Sequence, residues 1–412
     1  MSPSATAERT VLLIGTLDTK GEEFAFLRDR LEAADVGVLI ADVGTLEPPA
    51  AAADFTRDQV GAEAGVDVEA LRADGDRGSA ISAMAGAAAA LARRLYDEGL
   101  IHGVLSACGS GNTAIATAAM QALPVGVPKL MVSTMAAGDT SDYVGGVDVT
   151  MMASVTDVAG LNSISARILA NAAAAMAGMV GAPEPQLEGG RPLVGATMFG
   201  VTTPCVTAAR EELERRGYEV LVFHATGTGG KAMEALVQGG MLAGVLDATT
   251  TELCDDLVGG VLSAGPARLE AAGRAGVPQV VSLGALDMVN FGARETVPPR
   301  FEDRNLYVHN PSVTLMRTTP EECAELGRRI ARKLSDATGP VSLFVPLGGV
   351  SMIDADGQPF HDPEANAALF DALRDGLDGS SVELIEMDNN VNDDAFAAAM
   401  VDKLDSYLGA TR

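Results

Sequence analysis

Short runs of aliphatic and β-branched residues, most of them closing on Gly, Thr or Ser, alternate along this chain with longer amphipathic stretches. The short runs predict buried strands of parallel sheets, and the amphipathic stretches predict helices that cover them. Val11–Thr16 is the first such run. It precedes a stretch with Phe24, Leu27 and Leu31 on one face and Arg28, Asp29, Arg30 and Glu32 elsewhere. Pro192–Met198 repeats the motif, followed by Val206, Ala209 and Leu213 against Arg210, Glu211, Glu214 and Arg215. The parallel continues: Val38–Thr45 answers Val220–Thr228, His102–Gly111 answers Ala243–Thr251, and Gly126–Ser133 answers Gly276–Ser282. Four matched strand–loop stations in the same order predict an internal duplication into two βαβ-based lobes, each with a largely parallel sheet.

The lobes are expected at residues 1–182 and 193–412, joined by a Pro- and Gly-rich linker over 183–192. The first lobe carries an insertion over about 46–90, which is predicted to include a helix over Ser79–Tyr96. Beyond the second repeat, helices are predicted over Pro320–Leu334, Pro363–Leu377 and Asp394–Leu408, and strands over Val341–Val345 and Val382–Met387. Thr319 and Glu322 form a capping box at the first of these helices, with Pro320 at its first position.

A chain of 412 residues exceeds what one core usually supports, in keeping with two lobes. Aromatics make up only 4% and Trp is absent, so the cores must rest on Ala, Val, Leu, Ile and Met. The net charge of −27 argues against nucleic-acid and anionic-membrane partners. It also means that a site for a small anion must be built locally, from backbone N–H groups, a metal ion or a few cations. Lysine is confined to Lys20, Lys129, Lys231, Lys333 and Lys403. Cys108, Cys205, Cys254 and Cys323 show no zinc-ligand spacing and read as reduced thiols. The polar segment Met1–Thr10 does not read as a signal peptide, and the Ala-rich stretch Ile168–Val180, interrupted by Asn171, reads as too short to span a bilayer. A cytoplasmic location is the expectation.

Ligands of parallel α/β sheets sit beyond the carboxyl ends of the strands. The loop Gly15–Gly21 there offers hydroxyls from Thr16 and Thr19, a cation at Lys20, and the N–H groups of the following helix. Asp18 opposes an anion unless Mg²⁺ lies between them, which makes Asp18 a candidate metal ligand. A capped strand–helix turn is the alternative. Gly109, Ser110, Gly111, Asn112 and Thr113 form a second candidate loop, in which the last residues can cap a helix from Ala114 onward. A third runs through Thr226, Gly227, Gly229 and Gly230 to Lys231, with His224 at the strand end. Thr134, Thr202 and Thr203 add hydroxyls, with Thr203 expected as the N-cap before Pro204; Cys205, in that first turn, is open to a lowered pKa or to simple packing. His224, Asp247 and Glu252 are candidates for handling protons; a structural histidine and solvated carboxylates are the alternatives.

Thr197–Cys205, Leu221–Gly227, Gly284–Gly292, Leu315–Thr319 and Gly15–Gly21 are long, unusual strings. Through them the chain, from Val11 to about Leu408, resembles the family of the ATP-binding N-terminal domain of the tomato mosaic virus resistance protein. The resemblance implies a two-subdomain Rossmann-like module that binds ATP and self-associates, as a homodimer or higher homo-oligomer. The fold expected is therefore α/β: two duplicated Rossmann-like lobes with mostly parallel sheets and a ligand cleft between them. Plant members continue into a TIM-barrel-like domain, which makes a separate TIM-barrel protein a possible partner here. Two departures stand out. Cys108-Gly-Ser110 replaces the family's Gly-Gly-Ser, and Asn390-Val-Asn-Asp393 replaces a His-Ile-Asn-Asp string, so any activity of that histidine is in doubt. Three functions remain open: ATP binding with Mg²⁺, a hydrolase or C–C lyase acting on a small carboxylated or phosphorylated metabolite, and a nucleotide-gated interaction module.

Overall fold

The computed structural model describes residues 9–183 and 190–410; the N-terminal residues 1–8, the linker residues 184–189 and the final two residues lie outside them. The chain divides into two compact units, residues 1–186 and 187–412.

The first unit holds β1 (Thr10–Gly15), β2 (Gly37–Asp42), β3 (Gly103–Cys108), β4 (Lys129–Ser133) and β5 (Thr150–Ala153), all parallel, in the order β2-β1-β3-β4-β5. One face of this sheet is covered by helices Leu17–Glu32 and Ser163–Gly181, which bring Phe24, Leu27 and Leu31 against Leu169, Ala172 and Met176. On the other face lie helices Arg77–Asp97 and Ser110–Gln121, with Met84, Ala88, Leu91, Ile115, Ala116 and Met120 in the core. Alanine at so many of these positions lets helix backbones approach the sheet closely where aromatic bulk is scarce. Helix Ser163–Gly181 is longer than expected; by length and composition alone it could cross a membrane, but its stripe from Leu169 to Val180 is buried on the sheet and Asn171 faces outward.

The second unit contains β6 (Leu193–Met198), β7 (Glu219–His224), β8 (Gly244–Thr249), β9 (Gln279–Gly284), β10 (Met288–Phe291), β11 (Leu306–Asn310), β12 (Val313–Arg317), β13 (Val341–Pro346) and β14 (Glu383–Met387). Six of these form a parallel sheet in the order β14-β13-β9-β8-β6-β7, while β10, β12 and β11 make a separate antiparallel sheet that the sequence reading did not foresee. The C-terminal helices and strands lie where expected, at Pro320–Ser335, Val341–Pro346, Pro363–Leu377, Glu383–Met387 and Asp394–Ala410.

Strand register demonstrates the duplication. Val11 pairs with Val38 and Gly103 in one sheet as Val194 pairs with Val220 and Gly244 in the other. The next step also matches, Val104 with Lys129 and Val245 with Gln279. Equivalent residues can therefore be assigned across the halves by their hydrogen-bond partners as well as by sequence.

In the second unit, Asp255 ties the short helix Glu252–Val258 to β10: its two carboxylate oxygens accept from the Asn290 backbone N–H and Nδ2, each at 2.7 Å. Burial pushes this carboxyl up to about 7. An unfolded Asp ionises near 3.9. Between those values the folded state holds the extra proton, so stability is greatest below pH 4 and falls as pH rises to about 7. The loss is on the order of 4 kcal/mol. Thermal melts from pH 4.5 to 8.5 should show a shallower pH dependence for Asp255→Asn than for the wild-type chain; parallel curves would contradict this.

Candidate functional site

Strand order in the first unit reverses at β1, which has β2 on one side and β3 on the other. The helices that follow β1 and β3 leave on opposite faces of the sheet, so a crevice opens between their first turns. A cavity of about 510 Å³ lies there, walled by loops after β1, β2 and β3 and by the insertion residues Leu71–Ile81. All of its lining residues belong to the first unit.

One end of the cavity is polar. Helix Ser110–Gln121 starts four residues earlier than expected, and its N-cap, Gly109, has no side chain to offer. Among the described residues, the N–H groups of Ser110, Gly111 and Asn112 have no hydrogen-bond acceptor, so they face the cavity as free donors at the positive end of the helix. Lys20 and Arg77 line the same space and form no ion pair among the described residues, whereas Arg72 lies 3.9 Å from Glu69. Lys20 leaves helical geometry (φ −129°, ψ 20°), which sets the turn Leu17–Thr19 apart from the body of its helix. Thr16 and Thr19 join this wall and share a hydroxyl contact of 3.1 Å. Val43, Leu46, Leu71, Ala80, Ile81 and Ile115 give the rest of the cavity an apolar surface.

Three carboxylates border the space. Asp18 accepts from the Leu46 N–H, and Asp76 caps helix Arg77–Asp97 through the Gly78 N–H and the Ser79 hydroxyl, the latter bond chiefly holding its carboxyl below the usual range. Asp157 comes from the loop after β5. No group of three His, Cys, Asp or Glu side chains suited to a metal occurs among the described residues.

Other candidates of this lobe are tied to the fold itself. A Cβ on Gly15 would lie 2.2 Å from the Phe24 ring, so this glycine makes room for packing. The Leu17 N–H, expected to await an anion, donates to Asp42, which also takes the Gly44 N–H and pairs with Arg57 at 2.8 Å. Thr113 is fully buried, its hydroxyl bonded to Gly109 O and Ser133 Oγ; Thr134 is exposed beside Gly109. Asn112 is 6% exposed, and its Nδ2 donates to Ile14 O, Ser106 Oγ and the Cys108 sulfur. Its Oδ1, although the residue lines the cavity, has no partner. Burial pushes the Cys108 thiol up to about 12 and keeps it protonated.

In the second lobe the equivalent crevice, between β6 and β8, is closed. Thr202 and Thr249 meet across it through their hydroxyls at 2.7 Å, and both are fully buried. Thr202, not Thr203, is the N-cap of helix Thr203–Arg215; the exposed Thr203 bonds back to Phe199 O and Gly200 O. Cys205, buried in that turn, is pushed up to about 12 rather than lowered. The Gly-rich loop is no vacant cradle either. Its Gly227 and Gly230 N–H groups donate to Glu252 at 2.7 and 3.1 Å. A Cβ on Gly230 would collide with that carboxylate, one on Gly229 with His224 O, and one on Gly227 with Ser263 O. The Thr226 hydroxyl turns back to His224 O.

Glu252 and Asp247 are enclosed, not solvated. Arg268, 1% exposed, donates to Glu252 at 2.6 Å and to Asp247 at 2.7 Å, with Glu234 at 3.4 Å. Thr197 adds a bond to Asp247. With their oxygens engaged in this way, the two acids stabilise the loop and are poorly placed to exchange protons with a substrate. His224 is exposed, and its ring has no partner among the described residues. Sequence reasoning missed Arg77 and Arg268. Arg77 lies in an insertion read as an excursion, and Arg268 follows a Gly-Pro pair in a loop with no periodic signal.

Family models described as the N-terminal and C-terminal domains of an uncharacterised protein family (UPF0261) match residues 9–185 and 191–408. A UPF0261 protein of Clostridium tetani is 52% identical over 96% of this chain and 98% of its own length. One from Rhizobium meliloti is 49% identical, covering 95% of this chain and 98% of its own length. The ToMV resistance protein Tm-1(GCR237) of Solanum lycopersicum is 41% identical over 98% of this chain, which spans 56% of that longer protein.

Arg268→Ala leaves two enclosed carboxylates without their cation. It should destabilise the chain by about 3–5 kcal/mol in chemical denaturation. A loss under 1 kcal/mol would mean that the buried charges are held by other groups.

Proposed function

The chain belongs to the UPF0261 family, and from that premise we propose that its first lobe binds a nucleoside phosphate, ATP foremost, in the cavity between the first turns after β1 and β3. The observation that carries this reading is the uncapped start of helix Ser110–Gln121, whose free N–H groups border a half-open cavity beside Lys20 and Arg77. Backbone donors and cations at one end suit phosphate oxygens. The apolar wall from Val43 to Ile115 suits a base or another flat apolar group, and the volume falls in the range of small-molecule sites. Mg²⁺ would arrive on the phosphates, with Asp18 or Asp157 as single carboxylate ligands, in keeping with its preference for retaining water. A hydrolase or lyase built on His224, Asp247 and Glu252 has less support, because Arg268 already holds both acids.

Binding can be read from thermal melts. Mg-ATP at 100 times its dissociation constant should add about 2.7 kcal/mol to wild-type stability. Lys20→Ala and Arg77→Ala should each weaken binding by roughly tenfold, the loss of one charge-assisted contact. Lys231→Ala, at the closed loop of the second lobe, should leave affinity unchanged. Absence of any shift with millimolar ATP, ADP or AMP would sink the proposal.

A further inference from the structure

The second lobe carries an anion of its own where the first lobe is open. Gly103 and Gly244 hold equivalent places in the two sheets, fixed by their pairing with Val11 and Val194. Counting forward by the same number of residues from each reaches Gly111 in the first lobe and Glu252 in the second. Glu252 sends its carboxylate back onto two main-chain N–H groups of the loop after β7 and against the Arg268 guanidinium. Gly111 sends nothing. A Cβ placed on it would lie 3.4 Å from Arg77 Nη2 and 3.3 Å from the end of the Ile81 side chain, both flexible tips beside the cavity.

The geometry points to an oxyanion subsite at Gly111, in which a phosphate or carboxylate group of the ligand stands where the Glu252 carboxylate stands in the second lobe, with Arg77 in the part of Arg268. The inference rests on reading the first-lobe cavity as a ligand site, and it locates the group that such a ligand must carry. A second observation bears on the same place. Asn112 is next in the chain, more than nine-tenths buried, and lines the cavity; its own Oδ1 is buried and accepts no hydrogen bond. A buried acceptor left unpaired is costly. The ligand class is an oxyanion, which a nucleotide and a hydroxy acid share. The closed second lobe takes no second copy, so the expected stoichiometry is one ligand per chain.

Gly111→Glu tests this directly, with Gly111→Gln as the uncharged match in size. If the subsite is real, the Glu variant melts at least 3 °C above the Gln variant without any ligand, and Arg77→Ala removes the difference. A Glu variant no more stable than the Gln variant overturns the inference, whatever the nucleotide results. Mg-ATP, where it shifts the wild-type melt, should lose at least a hundredfold in affinity in Gly111→Glu; affinity within twofold of wild type also overturns it. A wild-type chain that ignores ATP while Glu still outperforms Gln would sink the nucleotide reading and leave the subsite standing, and titration with phosphate and with a small hydroxy acid then separates the two ligand sources. Should both Gly111 variants fail to fold, Glu252→Gly decides: tens of millimolar acetate should restore part of its lost melting temperature, more than equal ionic strength of chloride does, and equal effects of the two salts count against the inference.

Discussion

One enclosed guanidinium decides how the halves of this chain differ. Arg268 is surrounded by Glu252, Asp247 and Glu234, and through Glu252 it fixes the glycine loop after β7. A buried charge of either sign is tolerable only when paired and hydrogen-bonded. Here each partner makes the other admissible: the acids neutralise the arginine, and the loop N–H groups consume lone pairs that the arginine leaves free. The result is a lobe whose loop donors are spent on a carboxylate of its own.

The first lobe uses the same device one strand over and then stops. Asp42 takes the N–H groups of Leu17 and Gly44 and is held by Arg57, which rigidifies the turns after β1 and β2. The turn after β3 receives no such carboxylate. Ser106 stands where Asp247 stands in the other sheet, and its hydroxyl bonds to Ile14 O. Duplication supplies two copies of a crevice at a reversal of strand order. Two acidic residues in one copy, Asp247 and Glu252, against Ser106 and Gly111 in the other, account for one being filled and one open.

Much of the scaffold was legible because its signals are local. Strands buried on both faces, such as Val11–Gly15 and Val341–Val345, read as near-continuous apolar runs, and the capping box at Thr319 placed the start of its helix to the residue. Strand β5 was missed because Thr150–Ala153 is an edge strand, half exposed and rich in Met, without β-branched alternation. The antiparallel sheet was missed because β11 leaves Val308, His309 and Asn310 in solvent. The site was harder. Glycine in a loop reads the same whether it borders an open cavity, as at Gly111, or makes room for a ring, as at Gly15, or for a carboxylate from elsewhere in the chain, as at Gly230. Only the partner distinguishes them, and the partner lies many residues away.

The acidic surface sharpens what the first-lobe crevice must accomplish. With a net charge of −27, the chain repels an approaching anion at long range, but at physiological ionic strength that field decays over about 8 Å. Within the half-open cavity the nearest charges and dipoles govern instead. Elsewhere the chain commits most of its basic residues to carboxylates, as with Arg94 between Glu63 and Glu98 or Arg216 between Glu212 and Asp405. Lys20 and Arg77 form no ion pair among the described residues, and both line the cavity at the uncapped start of helix Ser110–Gln121. A cation left unpaired on so acidic a chain forgoes many available partners. On the proposed reading, Lys20 and Arg77 beside those free N–H groups would serve a negative charge brought from outside.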